Sequence, residues 1–493
     1  MRTENLKRLI TGRLIVLCSA FTFACTASYA QFGLGSTNNA TAVALRDPAR
    51  QASTEVDAAV YNPAGTAFLQ EGFHISLNGM YANQPLYSYE KNGEKAVNIH
   101  DERILNIAPT AQLAWKKGCF SLSASFADEG YMGKWTCNNG SIPYDAYLQE
   151  LIQSNYLKSE FNRLNTSLAL TNALLAVAGY NKELDVEIED QFRLATTDFA
   201  HTMHNWTTRL GATFAVNEHF AVSLGAKFNY LSRQVSIQPQ LQIYRPSSSQ
   251  YWEASKYFES KSNLLEEGSE LAEAYKGVAE DCTSLSTDPV ATNHSAMGIA
   301  PIIGLDYRLG KVNMGAKYEF QTIIEANEWV DFKLPSNLSL GLDWAILDNL
   351  NVAFGGTAYF RTNDNYGNCG DIKPKDISGQ ASLSISYSPL KQLLLSVGQT
   401  YETYSGYWYM INNEDIELPG LYRHTTSLGC AYSITDKLQL NFGGSIGYAP
   451  IRINENANLN IFANGEALTT VNCKVYFLTH MMYNAAVGVN YHF

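Results

Sequence analysis

The chain has 493 residues, a formal net charge of −12, 17% charged residues, 30 Tyr, 22 Phe, 7 Trp and 35 Gly, with a mean hydropathy of −0.18. No stripe of Lys and Arg interrupts the negative balance, and this excludes a nucleic-acid partner, which needs clustered cations against phosphates. Nothing in the interior reads as a linker, so a length sufficient for two or three domains is read as one large unit.

In chain order, Arg2, Lys7, Arg8 and Arg13 precede the apolar run 14–27 and then Ser28-Tyr29-Ala30. This pattern predicts a secretory signal over 1–30 with a small-x-small cleavage site, the competing reading being a lipid anchor on Cys25. Beyond it there is no stretch of ~18 apolar residues, so no membrane-spanning helix is expected. A soluble secreted protein and a transmembrane barrel remain. Cys119, Cys137, Cys282, Cys369, Cys430 and Cys473 then lie in a compartment that permits disulfides. Their spacing is too wide for a zinc site.

The stretch Ala58-Ala59-Val60-Tyr61-Asn62-Pro63-Ala64-Gly65 follows neither a helical nor a strand period. Pro63 lacks an N–H and Gly65 tolerates almost any backbone angle, so a rigid turn is expected just ahead of the first strand. After it, a period of two takes over. Met481, Tyr483, Ala485, Val487, Val489, Tyr491 and Phe493 alternate with small or polar residues, as do Leu438, Leu440, Phe442, Ile446 and Tyr448, and Phe220, Val222, Leu224, Phe228 and Tyr230. Such segments have one greasy and one wet side. They are longer than the ~5 or 6 residues usual in a soluble sandwich and match what a tilted strand needs to cross a bilayer.

Fourteen strands are predicted, near 73–85, 103–116, 119–128, 203–216, 219–235, 296–309, 312–329, 336–346, 350–362, 376–388, 391–403, 423–434, 437–450 and 478–493. An even count suits a closed antiparallel barrel. Short links such as Gly310-Lys311 and Thr435-Asp436-Lys437 alternate with long ones, notably 129–202 and 236–295, the loop asymmetry of an outer-membrane barrel. Both chain ends then fall on the short-turn side, and residues 31–72 need a place at the inner mouth.

Gly33-Leu34-Gly35 followed by Asp57-Ala58-Ala59-Val60-Tyr61-Asn62-Pro63-Ala64-Gly65 resembles the start of the FadL family of outer-membrane transporters for long-chain fatty acids and other hydrophobic compounds. The residue-level motif spans 33–65, and the strand layout extends the likeness over the chain. The resemblance implies an all-β fold, a fourteen-stranded barrel over 73–493, with residues 31–72 as a hatch in the lumen and Asn62, Pro63, Ala64 and Gly65 as its turn. It also implies sideways release through a gap in the third strand, where alternation fails at Phe126, Ala127, Asp128, Glu129 and Gly130. Phe493 is similar to the terminal signature read by the barrel assembly machinery. The charges of Arg46, Asp47, Arg50, Glu55 and Asp57 depart from what a greasy ligand would favour.

A fourteen-stranded barrel is wide enough to leak unless filled, which is an independent reason to expect a hatch. The long loops carry apolar residues at helical spacing, among them Tyr144, Tyr147, Leu148, Leu151 and Ile152, then Leu168, Leu170, Leu174, Leu175 and Val177, and Trp252, Tyr257, Phe258, Leu264, Leu265, Leu271 and Tyr275. They would form either a capture groove or self-packing caps. Disulfides Cys137 with Cys282 and Cys369 with Cys473 would staple these loops, although four cysteines permit three pairings.

Enzyme signals are weak. Gly443-Gly444-Ser445-Ile446-Gly447 matches G-x-S-x-G, but a nucleophile elbow needs a strand-to-helix turn, and Ser445 is mid-strand. His201 and His204 lack a partner set for a metal, and no cofactor is expected. The function expected is passive uptake of hydrophobic molecules from outer-membrane surroundings, fatty acids first. The alternatives are a general porin, a haem-type receptor, or a surface adhesin built on a barrel.

Overall fold

The computed structural model describes residues 41–83, 87–91, 94–98, 100–101, 107–129, 134–137, 155–248, 250–286, 290–326, 330–360, 372–374, 378–404, 407–411, 414–418, 421–448, 452–463, 466–477 and 481–493. Fourteen antiparallel strands close into a barrel. They are β1 (Gly72–Asn83), β2 (Ile107–Lys117), β3 (Phe120–Asp128), β4 (Gln191–Ala215), β5 (Phe220–Arg245), β6 (Val290–Leu309) and β7 (Val312–Glu319). The remainder are β8 (Ser336–Leu347), β9 (Leu350–Phe360), β10 (Ser378–Leu390), β11 (Leu393–Tyr404), β12 (Leu421–Ser433), β13 (Leu438–Tyr448) and β14 (Met481–His492). Each pairs with its neighbours in this order, and closure comes from β1 against β14, with His74 opposite His492 and Asn83 opposite Tyr483.

Alternation decides which side faces which medium. Ser76, Ser427 and Asn441 are 1%, 2% and 0% exposed, whereas Leu77, Leu428 and Phe442, one position along, are 56%, 60% and 41% exposed. A polar interior inside an apolar exterior inverts the usual globular arrangement. An exposed apolar surface of this extent requires a partner, and hydrocarbon is the one that fits all round a closed barrel. Aromatic residues mark two levels on it: on β12 the outward Tyr422 and Tyr432 are ten residues apart. At ~3.3 Å per residue and a tilt near 40° that spans about 25 Å, the height of an outer-membrane barrel's apolar band. Among the described residues no helix is long and apolar enough to cross a membrane.

The expected strands at 203–216, 219–235 and 296–309 are longer than alternation suggested: β4 and β5 run for 25 and 26 residues and β6 for 20. Their extra length stands beyond the apolar band and carries α3 (Asn155–Val177), α5 (Ala254–Asn263) and α6 (Glu270–Ser286), with a short α4 (Asn181–Leu184) between. There Leu194, Leu241 and Ile243 of the strands are buried together with Phe161, Leu184, Tyr257 and Phe258 of the helices. In β5 the two-residue rhythm continues through Val235, Ile237, Leu241 and Ile243 against Gln238, Gln240 and Gln242, with Pro239 within it, while in β4 it is broken by a register shift between Thr196 and Asp198. The expected strand 312–329 is interrupted after Glu319 and resumes as Thr322–Ala326. The helical stretch expected at 144–152 lies outside the described residues.

Candidate functional site: the barrel lumen and the N-terminal segment

Residues 41–71 lie inside the barrel and trace its inner wall in reverse strand order. Helix α1 (Ala42–Arg46) packs on β12, β13 and β14. Asp47 accepts a hydrogen bond from Ser384 of β10, Asn313 of β7 donates to the Ala52 carbonyl at 2.9 Å, and Thr213 of β4 donates to the Pro63 carbonyl at 2.9 Å. Ser121 of β3 then donates to Thr66 at 2.9 Å, and Leu69 reaches Ala114 of β2 before the chain enters β1.

The Asn-Pro-Ala-Gly turn is a capped one. Helix α2 (Ala58–Tyr61) ends at Asn62, whose side chain accepts from the Ala64 amide and so caps a 3-10 helix, Pro63–Phe68, with proline at its first position. Proline suits that place because its missing N–H would be unpaired there anyway. The other end of the Asn62 amide donates to the Leu305 carbonyl at 2.9 Å and to Asp306 at 3.1 Å, so one side chain both shapes the turn and ties it to β6. Gly65 packs against the Ser53 carbonyl so closely that a Cβ would collide with it.

The charges of this segment are satisfied mostly within it. Arg50 bonds Asp57 through Nε at 2.8 Å, Asp47 at 3.1 Å and Glu55 at 2.9 Å, and also Ser53 at 2.6 Å. Burial alone would discourage a charged guanidinium, but three carboxylates raise the Arg50 pKa well above its ordinary value. Desolvation also acts against the Asp57 anion, yet Arg50 and Ser53 hold its pKa below the usual carboxylate value. Arg46, 1% exposed, instead donates to Ser396 at 2.9 Å and Asn441 at 3.4 Å.

Glycines make room for the segment. Gly211 faces Gly225 across β4 and β5, Gly315 faces Gly341 and Gly341 faces Gly355 across β7, β8 and β9, and Gly429 faces Gly443 across β12 and β13. A Cβ on Gly341 would stand 2.5 Å from the Ala52 nitrogen, one on Gly429 2.7 Å from the Arg46 Cβ, and one on Gly443 2.7 Å from the Leu45 Cβ. Real Cβ atoms do not approach this closely, so side chains at these positions would compete with the segment for one volume. Together these glycines form a belt at one height on the wall.

The ladder between β3 and β4 parts just above that belt. Asp128 is opposite Trp206, and pairing resumes with Lys134 opposite Thr202, so one strand advances six residues while the other advances four. A two-residue offset of this kind between paired strands counts as a bulge, and among the described residues regular pairing ends at Asp128. The Asp128 carboxylate accepts from the Asn205 amide at 2.9 Å and meets His204 at 2.6 Å, while the Glu129 amide donates to the Asn205 carbonyl at 2.9 Å. Glu129 turns inward onto Arg209. Glu319 lies 3.5 Å from Arg209, 2.6 Å from Lys227 and 3.5 Å from Lys317, and Lys317 donates to the Val60 carbonyl at 3.2 Å. Three cations and two anions, all under 8% exposed, thus join the bulge to α2.

No protein-family model matches the chain, and no curated protein sequence matches it. Among solved structures, a FadL homologue from Pseudomonas aeruginosa is similar at 12% identity over 93% of this chain and 98% of that one, with a TM-score of 0.51. The barrel has the FadL-type fold. The toluene transporter TbuX of Ralstonia pickettii aligns over 89% of this chain and 94% of its own at 13% identity and a TM-score of 0.48. The toluene transporter TodX of P. putida aligns over 90% and 95% at 13% identity and 0.47.

Within this FadL-type barrel, Asn62, Pro63, Ala64 and Gly65 are buried and lie together at the wall. Phe126, Ala127, Asp128 and Glu129 lie at the parting of β3, whereas Gly130 lies outside the described residues. Arg209, Lys227, Lys317 and Glu319 were missed by sequence reasoning. Parity could have found them: each is at an inward position, and an ion inside a barrel needs a partner. Ser445 is buried in mid-strand, where Asn484 donates to it at 3.0 Å. The side chains of Cys137, Cys369 and Cys473, and hence the expected disulfides, lie outside the described residues.

Proposed function

We propose that the protein is a passive outer-membrane channel for hydrophobic molecules, long-chain fatty acids being the first candidates. In this reading the long loops capture the ligand, residues 41–69 act as a hatch that bars the straight route, and the ligand leaves sideways at the break in β3. The observation that carries the reading is a juxtaposition. The lumen is filled at mid-height by a segment bonded to wall strands around the barrel, and directly beside that filling the β3–β4 ladder parts.

A hydrocarbon gains about 0.8 kcal/mol per methylene buried, so it will not prefer a water-filled pore. Above the glycine belt the two sides of the lumen differ. Toward β9–β13 the wall presents hydroxyls such as Thr357, Ser382 and Thr400 and one mutually neutralised ion pair, Glu402 with Arg423, whereas toward β5–β7 it presents Leu231, Ala296, Ala300 and Ile324 beside Arg209, Lys227 and Lys317. An apolar track next to a cluster with one excess cation suits an amphipath with an anionic end. A filled lumen also argues against a general porin.

The test is uptake by the full-length protein in proteoliposomes. A labelled long-chain fatty acid should enter saturably, Asn62→Ala should slow it several-fold, and small sugars should not swell the vesicles. Rapid sugar swelling without fatty-acid uptake would instead establish a porin.

A further inference from the structure

On β5 the apolar band ends at Tyr230. Phe220 and Tyr230 stand ten residues apart on its outward face, the same separation as Tyr422 and Tyr432 on β12. Tyr230 is flanked by Trp206 of β4 and by Met297 of β6, which is 72% exposed. The strand then continues to Arg245, and from Tyr230 to Tyr244 it covers roughly 45 Å. Pairing with β6 is unbroken from Phe220 to Ile237, and the register shift near Thr196 places its extra residue in β4. Even-numbered positions of β5 therefore stay on the outer face all the way up. They read Ser232, Gln234, Ser236, then Gln238, Gln240 and Gln242, and last Tyr244. Odd-numbered Leu241, Ile243 and Arg245 are buried on the side of the helices.

None of these outward β5 residues is charged. Ordinary protein surface is about a quarter or more Lys, Arg, Asp and Glu, and the helices behind the same sheet follow that rule, with Glu270, Glu273, Glu280 and Asp281 on α6. A face in water gains nothing by losing its charges, whereas a face against a partner avoids the cost of desolvating them. Register adds Thr202 of β4 and Asn293 and Ser295 of β6 to the same face. The only charges there are Arg193 and Asp198 of β4 and Glu253 of a short strand, Gln250–Glu253, that pairs with the top of β5.

The upper end is prearranged. Arg193 donates through Nε to Gln242 at 2.8 Å, and Gln242 donates to Gln240 at 3.0 Å. The Arg193 guanidinium lies 4.5 Å from the centre of the Tyr251 ring and 5.3 Å from that of Tyr244, and Tyr251 is 53% exposed. Side chains linked in this way have little rotamer freedom left to lose on binding. Planar amides that both donate and accept, set beside phenol rings, complement a sugar, whose hydroxyls need both kinds of partner and whose C–H face packs on an aromatic ring.

The level of the face decides which sugar. It continues the lipid-facing wall upward from the row where hydrocarbon ends, so the saccharide headgroups of the outer leaflet stand against it. We propose that the outward face of β4 and β5 above Tyr230 binds the sugar chain of lipopolysaccharide, with Tyr244 and Tyr251 against sugar rings and Gln238, Gln240, Gln242 and Arg193 on their hydroxyls. No cluster of Lys and Arg lies at the His204 and Ser232 level, so the grip is on neutral sugars and not on the phosphates nearer the lipid. The binding is separate from transport.

Full-length protein stripped of lipid in detergent would be titrated with two lipopolysaccharides, one with a complete core oligosaccharide and one cut back to lipid A and its first sugars, and bound molecules counted by mass spectrometry of the intact complex. The complete form should bind roughly tenfold more tightly, and Tyr244→Ala with Tyr251→Ala should remove that advantage. Gln234→Glu with Gln240→Glu, which keeps side-chain size and adds charge, should do the same, and both variants should keep the heat-dependent gel shift of a folded barrel and the fatty-acid uptake of the unmodified protein. Free core oligosaccharide should compete, and EDTA should leave the complex intact. Equal binding of the two forms, full binding by both folded variants, or release by EDTA would overturn the proposal. So would a dimer that either variant dissolves, since the face would then belong to a second copy of the chain.

Discussion

At the level of the N-terminal segment both arcs of wall carry glycines, but the arc from β9 to β13 adds only neutral hydroxyl or amide groups, whereas the arc from β3 to β7, with Gly211 and Gly315, adds buried ions. On the first arc Gly355, Gly429 and Gly443 leave space, and Ser384, Ser396 and Asn441 supply hydrogen bonds to charges that belong to the segment. On the second, Arg209, Lys227, Lys317 and Glu319 belong to the wall, and they link Val60 to the bulge at Glu129. A steric fit is either made or lost, because packed matter is nearly incompressible. An ionic network can exchange partners while remaining bonded. The first arc is therefore built to seat the segment, and the second to respond.

The strongest break in that contrast is Gly443→Val. Its side chain would enter the volume of Leu45 and Arg46, and since a fourteen-stranded lumen without filling approaches porin width, conductance should rise roughly tenfold or more. Planar-bilayer recordings beside a deletion of 41–69 would check it. A closed channel would mean that the glycines are not what seats the segment.

Arg50→Met should be next in size. Removing one partner of a buried ion pair costs about 3–5 kcal/mol, and here it strands Asp47, Asp57 and partly exposed Glu55 together. Residues 41–69 should become sensitive to protease added from the short-turn side, while the strands keep their circular dichroism. Asp57→Asn in the same chain should restore part of the protection.

The two arcs were not equally legible in the sequence. Barrel strands announced themselves through residues such as Leu428 and Tyr432 because lipid on one side and polar lumen on the other enforce a two-residue period, and thirteen of the alternating segments needed only shifts at their ends or, for β4–β6, lengthening. The Asn62 turn was legible because Pro63 and Gly65 constrain the backbone wherever they occur. The glycine belt was not: each member looks like any weak strand residue until register brings Gly315, Gly341 and Gly355 side by side. The ionic network joins residues as far apart as Glu129 and Glu319, and sequence carries no sign of such a meeting beyond inward parity.

Acid should loosen the seated segment. Arg50 and Ser53 hold the Asp57 pKa below its ordinary value, so the seated state binds fewer protons than the released one. The stabilisation is complete above about pH 4 and is lost as pH falls through the depressed value. Conductance should stay flat from neutral pH down to that point and rise below it, and Asp57→Asn should flatten the curve.

On the responsive arc, Lys317→Met is expected to change fatty-acid uptake several-fold without raising sugar permeability, because it frees Val60 and alters the balance around Glu319 while leaving the glycines intact. A leak equal to that of Gly443→Val would erase the distinction between the arcs.

The smallest effect belongs to Ser445→Ala. The G-x-S-x-G spelling would make this serine decisive if it were a nucleophile, yet its hydroxyl is buried in β13 and accepts a hydrogen bond from Asn484 of β14. Alanine keeps the strand and its small inward volume and removes one neutral hydrogen bond, which costs about 1 kcal/mol. Uptake should match that of the unmodified protein, with a slight drop in the temperature at which the barrel unfolds in detergent. Because among the described residues the hydrogen bond of Ser445 goes to Asn484 and not to residues 41–69, a large loss of uptake would mean that the upper wall of β13 and β14 takes part in handling the ligand, and the neutral arc could then no longer be regarded as a seat alone.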